Sequence, residues 1–324
     1  MIRVPRLPAR SILLTGGGGF VGGYLAPMLA QAAPEARKVV LSREPADLPG
    51  WELAECDIAD AVAVETIVDG TRPDLVVHLA AQSSVGASHD AGEATWHVNF
   101  GGSLVLAAAC ARAAPEATVL FSSSAEVYGA SFRDGPVDED APVRPQNAYA
   151  RSKAAAELMF EDVLSPRNTL IVTRAFNHTG PGQSEQFALP SFAMQIARIE
   201  AGLQPPRMQV GNLDVERDFL DVRDVCEAYL DLIAAAPQLG QRSVFNIASG
   251  SGRSIHSLLE DFRGLSAVAF SVDLDPARLR PSDIPSALGH SDRLKAATGW
   301  RPSRTIETML SDLLDHARRS IATG

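Results

Sequence analysis

Gly16-Gly17-Gly18-Gly19, with Gly22 three residues on, lies between the apolar run Ile12-Leu13-Leu14 and a helix-forming stretch beginning at Tyr24-Leu25-Ala26. Glycine-rich turns are common. With a strand before and a helix after, glycines at 16, 19 and 22 permit a tight turn, close approach of backbone to a pyrophosphate, and close packing of helix on strand. The helix N-terminus then faces the phosphates, as in a dinucleotide loop. Four further apolar runs, Val39-Val40-Leu41, Leu75-Val76-Val77, Thr118-Val119-Leu120-Phe121 and Leu170-Ile171-Val172, alternate with Ala-rich stretches. Strands buried on both faces and joined by helices have this pattern. The expectation is an α/β chain in which residues 1–175 form a Rossmann-type, doubly wound parallel sheet. After Phe176 the alternation fades into turns at Gly180-Pro181-Gly182 and Gln204-Pro205-Pro206. A smaller α/β C-terminal substrate domain is expected over 176–324, with 221–248 returning a helix and a strand to the first domain; 324 residues suffice for both.

The net charge of −10 is spread along the chain and the arginines form no basic block, which argues against nucleic acid as a partner. Cys56, Cys110 and Cys226 are far apart and read as small buried hydrophobes, suggesting neither a disulfide framework nor a metal site. No signal peptide or membrane-length apolar run is present, so a cytoplasmic protein away from the membrane is expected. An acidic protein that binds a polyanion needs local guanidinium groups and backbone N–H groups, which directs attention to individual arginines.

The second apolar run ends at Leu41-Ser42-Arg43, with no Asp or Glu to accept hydrogen bonds from ribose hydroxyls. Arg43 is suited to a 2′-phosphate, which favours NADP(H) over NAD(H), although a solvated loop arginine has the same sequence. Asp57-Ile58 ends the next segment and is placed beside the adenine. Tyr149 and Lys153 are four apart in Asn147-Ala148-Tyr149-Ala150-Arg151-Ser152-Lys153, on one face of an Ala-rich helix. An ammonium beside a phenol is expected to lower the phenol pKa, suiting it to proton exchange with a carbonyl. Ser122-Ser123-Ser124 closes the preceding strand and supplies a hydroxyl.

Glycine loop, serine and Tyr-x-x-x-Lys in this order resemble the extended short-chain dehydrogenase/reductase family. The resemblance extends through His78-Leu79-Ala80-Ala81-Gln82, Val98-Asn99-Phe100-Gly101-Gly102 and Phe121-Ser122-Ser123-Ser124-Ala125-Glu126-Val127-Tyr128-Gly129. It implies that Gly16, Gly19, Phe20, Val21, Gly22, Leu79, Ala80, Ala81 and Asn99 line the cofactor. It also implies that Ser124 orients the reacting oxygen, Tyr149 exchanges its proton and Lys153 holds the nicotinamide ribose. Three later segments, Arg174 to Gln183, Val210 to Phe219 and Arg280 to Pro285, together with Lys295 to Pro302, resemble the branch acting on GDP-mannose derivatives. That likeness implies a GDP-linked sugar substrate, bound by Ser83, Ser124, Asn177, Arg217 and Arg280, and a homodimer built on the helices near 101–114 and 148–164. The implied reaction is reduction of the C4 keto group of GDP-4-keto-6-deoxy-D-mannose to GDP-D-rhamnose. A 4,6-dehydratase remains an alternative because Glu126 matches the glutamate base of dehydratases, whereas Ala125 replaces an Asp or Ser that relays a proton there. A nucleotide-sugar 4-epimerase needs only Ser124, Tyr149 and Lys153. A non-catalytic nicotinamide sensor would be the reading had those three been missing.

Overall fold

The computed structural model describes residues 4–44, 47–279 and 284–323. The five expected apolar runs become β1 (Ser11–Thr15), β2 (Arg37–Ser42), β4 (Leu75–His78), β5 (Thr118–Ser122) and β6 (Thr169–Ala175), and the polar, largely exposed Glu52–Glu55 adds β3. Between them come α1 (Phe20–Ala32), α2 (Ala61–Thr71), α3 (Val85–Asp90), α4 (Gly92–Trp96), a π-helical turn at His97–Gly102, α5 (Ser103–Ala113) and α6 (Ala148–Val163). The chain continues through β7 (Asn177–Thr179), α7 (Ala188–Glu200), β8 (Arg207–Val210), β9 (Glu216–Asp221), α8 (Val222–Ala235) and β10 (Arg242–Ile247). It ends with β11 (Gly252–Ser254), α9 (Ile255–Leu265), β12 (Ser271–Leu274), β13 (Ser286–Ala287), α10 (Asp292–Thr298) and α11 (Ile306–Thr323).

Seven strands form one sheet in the order β10-β6-β5-β4-β1-β2-β3, and every pairing in it is parallel. Alternation along each strand decides which helix layer a side chain meets. Ile12, Leu14, Val77, Leu120 and Ile171 pack with α1 and α8 on one face. Leu13, Val76, Val119, Phe121 and Val172 pack with α2, α5 and α6 on the other. Both faces are covered, which explains why the strands read as continuous apolar runs. Strand order reverses between β1 and β4, so the crevice at their C-terminal ends is where a ligand of a doubly wound sheet sits.

His78 ends β4 inside that crevice floor and is buried. Its Nδ1 lies 2.7 Å from Thr15 Oγ1 and its Nε2 2.9 Å from Ser103 Oγ. Ala80 N donates to Thr15 Oγ1 and Ser103 Oγ donates to the Asn99 carbonyl, so one proton arrangement satisfies the set: Thr15 donates to Nδ1, and Nε2–H donates to Ser103. Burial pushes the imidazole down to about 3, with Lys153 adding repulsion, and the ring stays neutral.

The later elements form a second apolar core, with Phe192, Ile196, Leu258, Phe262, Leu310 and Leu313 from α7, α9 and α11 at its centre. β9 pairs with β7, β11 and β13, and β8 pairs with β12. Buried Asp224 on α8 anchors the segment before α11, accepting from Ser303 Oγ at 2.9 Å and Arg304 N at 3.1 Å. Cys110 and Cys226 are buried, whereas Cys56, next to exposed Asp57, is only half-buried. Among the described residues no helix is long and apolar enough to cross a membrane.

Candidate active site

Gly16 adopts φ +74°, and a Cβ there would lie 2.7 Å from Ala80 N. Only glycine lets the loop after β1 press against the loop after β4. A Cβ on Gly22 would collide with the carbonyls of Gly16 and Gly17, so this position sets how closely α1 approaches the turn. α1 starts after Gly19 with no side-chain cap and no acidic residue in its first turn. Its leading N–H groups and positive dipole end therefore favour an anion. These features fit a dinucleotide pyrophosphate.

A cleft of about 820 Å³ runs from this turn toward the second core, and Gly16, Gly19, Phe20, Val21 and Gly22 line its floor. Leu79 and Ala81 line it as well, while Ala80 is held back by its bond to Thr15. Asn99 is buried behind the wall. Its Oδ1 accepts from Gln82 N at 2.8 Å, and its Nδ2 donates to Gln82 O and Ser152 Oγ, both at 3.1 Å. It braces the β4 loop against α6 and does not face the cleft. Arg43 and Asp57 are exposed and Ile58 is buried at 4%. None of the three lines the cleft; they lie past the ends of β2 and β3.

Asn147 starts α6 by accepting from Ala150 N at 2.8 Å, which fixes the phase of Tyr149 and Lys153. Both are buried and both line the cleft with Ser124 and Glu126. Ser124 Oγ accepts from Glu126 N at 3.2 Å, and its hydroxyl faces Tyr149 and favours the phenolate. Lys153 Nζ donates to the Ser122 carbonyl at 2.7 Å and sits 4.9 Å from the Phe121 ring centre. The expected lowering of the phenol is not what results. Burial pushes Tyr149 up to about 12; the Ser124 bond pulls it down, while Glu126 and Tyr229 push it further up. Lys153 is itself pushed down to about 7 by burial, with Glu157 pulling it back. An ammonium half discharged near neutrality is a weak partner for the phenol, and desolvation wins.

At the far end, Ser83 and Asn177 are exposed on the cleft wall. Arg217 also lines it, its Nη1 donating to the carbonyls of Glu216 and Ile284 at 2.8 Å each. Glu216 and Asp218 flank Arg217 in sequence, but Asp218 is not available to form an ion-pair cluster with it. Asp218 is fully buried and accepts instead from Ser249 N, Ser249 Oγ and Gly250 N at 2.7–2.9 Å. Arg280 lies outside the described residues. Arg278, which the sequence reading passed over, does line the cleft and donates to Ser191 Oγ at 3.1 Å. The signal available was its place two residues before Arg280 in the sequence Arg278-Leu279-Arg280. Leu189, Phe192 and Gly211 on the same wall carry no chemical signature and show up only in three dimensions.

The two ends of the cleft are physically joined. Tyr24 on α1 donates its hydroxyl to the Pro181 carbonyl at 2.7 Å, and Phe20 stacks on His178 at 6.4 Å between centroids.

Comparison with known proteins places this geometry among relatives. Residues 13–313 match the family model described as GDP-mannose 4,6 dehydratase. The chain is 37% identical over 306 residues to GDP-6-deoxy-D-mannose reductase of Pseudomonas aeruginosa strain PAO1, covering 94% of this chain and 95% of that protein. It is 27% identical over 329 residues to UDP-glucose 4-epimerase of Neisseria gonorrhoeae, covering 93% and 96% respectively. A solved structure of RMD from Pseudomonas aeruginosa complexed with NADPH superposes with a TM-score of 0.81 at 33% identity, covering 96% of this chain and 99% of that one.

Proposed function

The chain belongs to the GDP-mannose 4,6 dehydratase family of extended short-chain dehydrogenase/reductases, and from that premise we propose that it reduces the C4 keto group of GDP-4-keto-6-deoxy-D-mannose, giving GDP-D-rhamnose. It is a nicotinamide-dependent oxidoreductase acting on a GDP-linked sugar. The observation that carries the reading is the meeting of Ser124, Tyr149 and Lys153 midway along a cleft between an anion-binding helix end and Arg217.

When bound, the nicotinamide supplies the hydride for C4. The turn at Gly16–Gly22 and the start of α1 hold its pyrophosphate. Tyr149, kept protonated at neutral pH by burial, donates its proton to the C4 oxygen as negative charge develops there. Ser124 hydrogen-bonds the same oxygen, and Lys153 holds the nicotinamide ribose and orients the serine turn through the Ser122 carbonyl. Asn177 and Arg217 take the nucleotide diphosphate. An acid that stays loaded suits the reductive direction. Glu126 supports the dehydratase as second reading, because its carboxylate lies in the cleft and acts on Tyr149. Against it, the methyl of Ala125 beside it relays no proton. The test is NADPH oxidation with the keto sugar, run beside GDP-mannose with NADP⁺. Fast oxidation with a GDP-deoxyhexose product supports the reductase; loss of water or inversion at C4 of GDP-mannose, with the keto sugar ignored, replaces it.

NADPH is proposed over NADH on Arg43, whose exposed guanidinium follows β2. Arg43→Ala is expected to weaken NADPH about tenfold, one charge-assisted bond's share, with NADH unchanged, read by fluorescence titration. Equal weakening of both cofactors would show that Arg43 does not read the 2′-phosphate. The division at 175/176 into cofactor and substrate domains is proposed with β10 and α8 completing the first. A homodimer across α5 and α6 is proposed on exposed Leu104 and Leu158, 38% and 65% accessible; Leu158→Arg is expected to halve the mass measured by light scattering.

A further inference from the structure

The Ser122–Ser124 turn is tied to α6 by a carboxylate that the mechanism above does not use. Tyr149, Lys153 and Glu157 are spaced four apart and form one stripe along α6. Glu157, 6% exposed, accepts from Ser123 Oγ and from Arg174, whose Nε lies 3.0 Å from Oε1 and whose Nη2 lies 2.6 Å from Oε2. Arg174 is equally buried and sits on β6, where Thr173 O accepts from Ser123 N at 2.9 Å. Arg174 also donates to Tyr128 OH at 3.1 Å, in the segment that follows Ser124. The residue between the one whose carbonyl receives Lys153 and the one whose hydroxyl meets Tyr149 is thus clamped by Glu157.

We propose that Glu157 is a positioning residue for hydride transfer, acting through Ser123 on the turn that carries Ser124 and along α6 on Lys153. The Ser124 hydroxyl is held locally by the Glu126 N–H at 3.2 Å, so it moves with the turn, and misplacement by a fraction of an ångström weakens a bond needed only as the oxyanion forms. Along the helix, the carboxylate favours the charged form of Lys153 against burial. The other groups facing this region are constant through neutral pH: His78 is neutral, held near 3, and Tyr149 and Tyr229 are held near 12. Glu126 faces Tyr149 from the cleft, and Arg174 faces Glu157 from β6.

The inference rests on the proposed reductase for its kinetic arm only. Ser123→Ala removes one hydroxyl and no charge, leaving the buried pair intact. It is expected to lower kcat about tenfold with KM for the keto sugar and for NADPH unchanged; a wild-type kcat, or a loss carried in KM alone, overturns the positioning role. The second arm needs no substrate. The chain has three lysines, Lys38, Lys153 and Lys295, so protein labelled with carbon-13 at lysine Cε gives a spectrum in which Lys153→Met identifies one resonance. In Glu157→Gln that resonance is expected to titrate at lower pH than in wild type, because the stabilising carboxylate is gone while Arg174 stays charged. An unmoved midpoint overturns the link to Lys153. A wild-type protein that ignores the keto sugar refutes the reductase, while the titration still decides the link.

Discussion

Tyr149→Phe is expected to bind NADPH and the GDP sugar as wild type does and to turn over about 10³-fold more slowly, the usual worth of a positioned proton donor. The prediction is sharp because only one oxygen is removed. Tyr149 is buried at 8% exposure on a helix whose start is fixed by Asn147, so the ring keeps its place and the change falls on the proton. Ser124 remains to hydrogen-bond the C4 oxygen but has no proton to give up at neutral pH. Stopped-flow NADPH oxidation and isothermal titration on the same preparation check it. Near-wild-type turnover would mean the proton comes from elsewhere, with Glu126 the first residue to test.

Arg174→Met is expected to cost about 3–5 kcal/mol of stability, because it leaves the Glu157 carboxylate buried without its bidentate partner. Both side chains are under a tenth exposed, so solvent does not make up the loss. Replacing both, as Arg174→Met with Glu157→Leu, is expected to recover most of it, since two apolar side chains of similar volume owe no desolvation. Urea midpoints of the single and double variants measure this. The double variant also separates two roles: with stability restored but Ser123 untethered, kcat stays low if the carboxylate positions the turn. Equal stability of wild type and the Arg174→Met variant would show that the pair adds nothing to the fold.

The sheet was legible because its signal is local. Leu75-Val76-Val77 and Leu170-Ile171-Val172 are apolar throughout since both faces of the strand are covered, and no tertiary detail is needed to see it. Tyr149 and Lys153 were legible for a related reason, as four-residue spacing on a helix is geometry carried by sequence. Their protonation was not. The sign of the shift on Tyr149 depends on how much water α8 and the serine turn exclude, a property of packing that no spacing encodes. Asn99 was placed at the cofactor by likeness, and its three hydrogen bonds to the β4 loop and α6 became visible only when Gln82 and Ser152, 17 and 53 residues away, came together around it. Arg278 and Ser191 pair across 87 residues and were invisible for the same reason.

The chain of donors from Ala80 through Thr15, His78 and Ser103 to Asn99 has one direction, and this restricts how the sequence can drift. Thr15→Val alone strands the Ala80 N–H and His78 Nδ1; His78→Leu alone strands the Thr15 O–H, while Ser103 keeps its bond to the Asn99 carbonyl, each orphaned group costing about 1–3 kcal/mol. A fully apolar set of the same shape would still leave the backbone Ala80 N–H without its acceptor. Beneath the glycine turn, positions 15 and 103 can therefore trade one hydroxyl for another in a single step, whereas a change from polar to apolar at position 15 is penalised whatever its neighbours become.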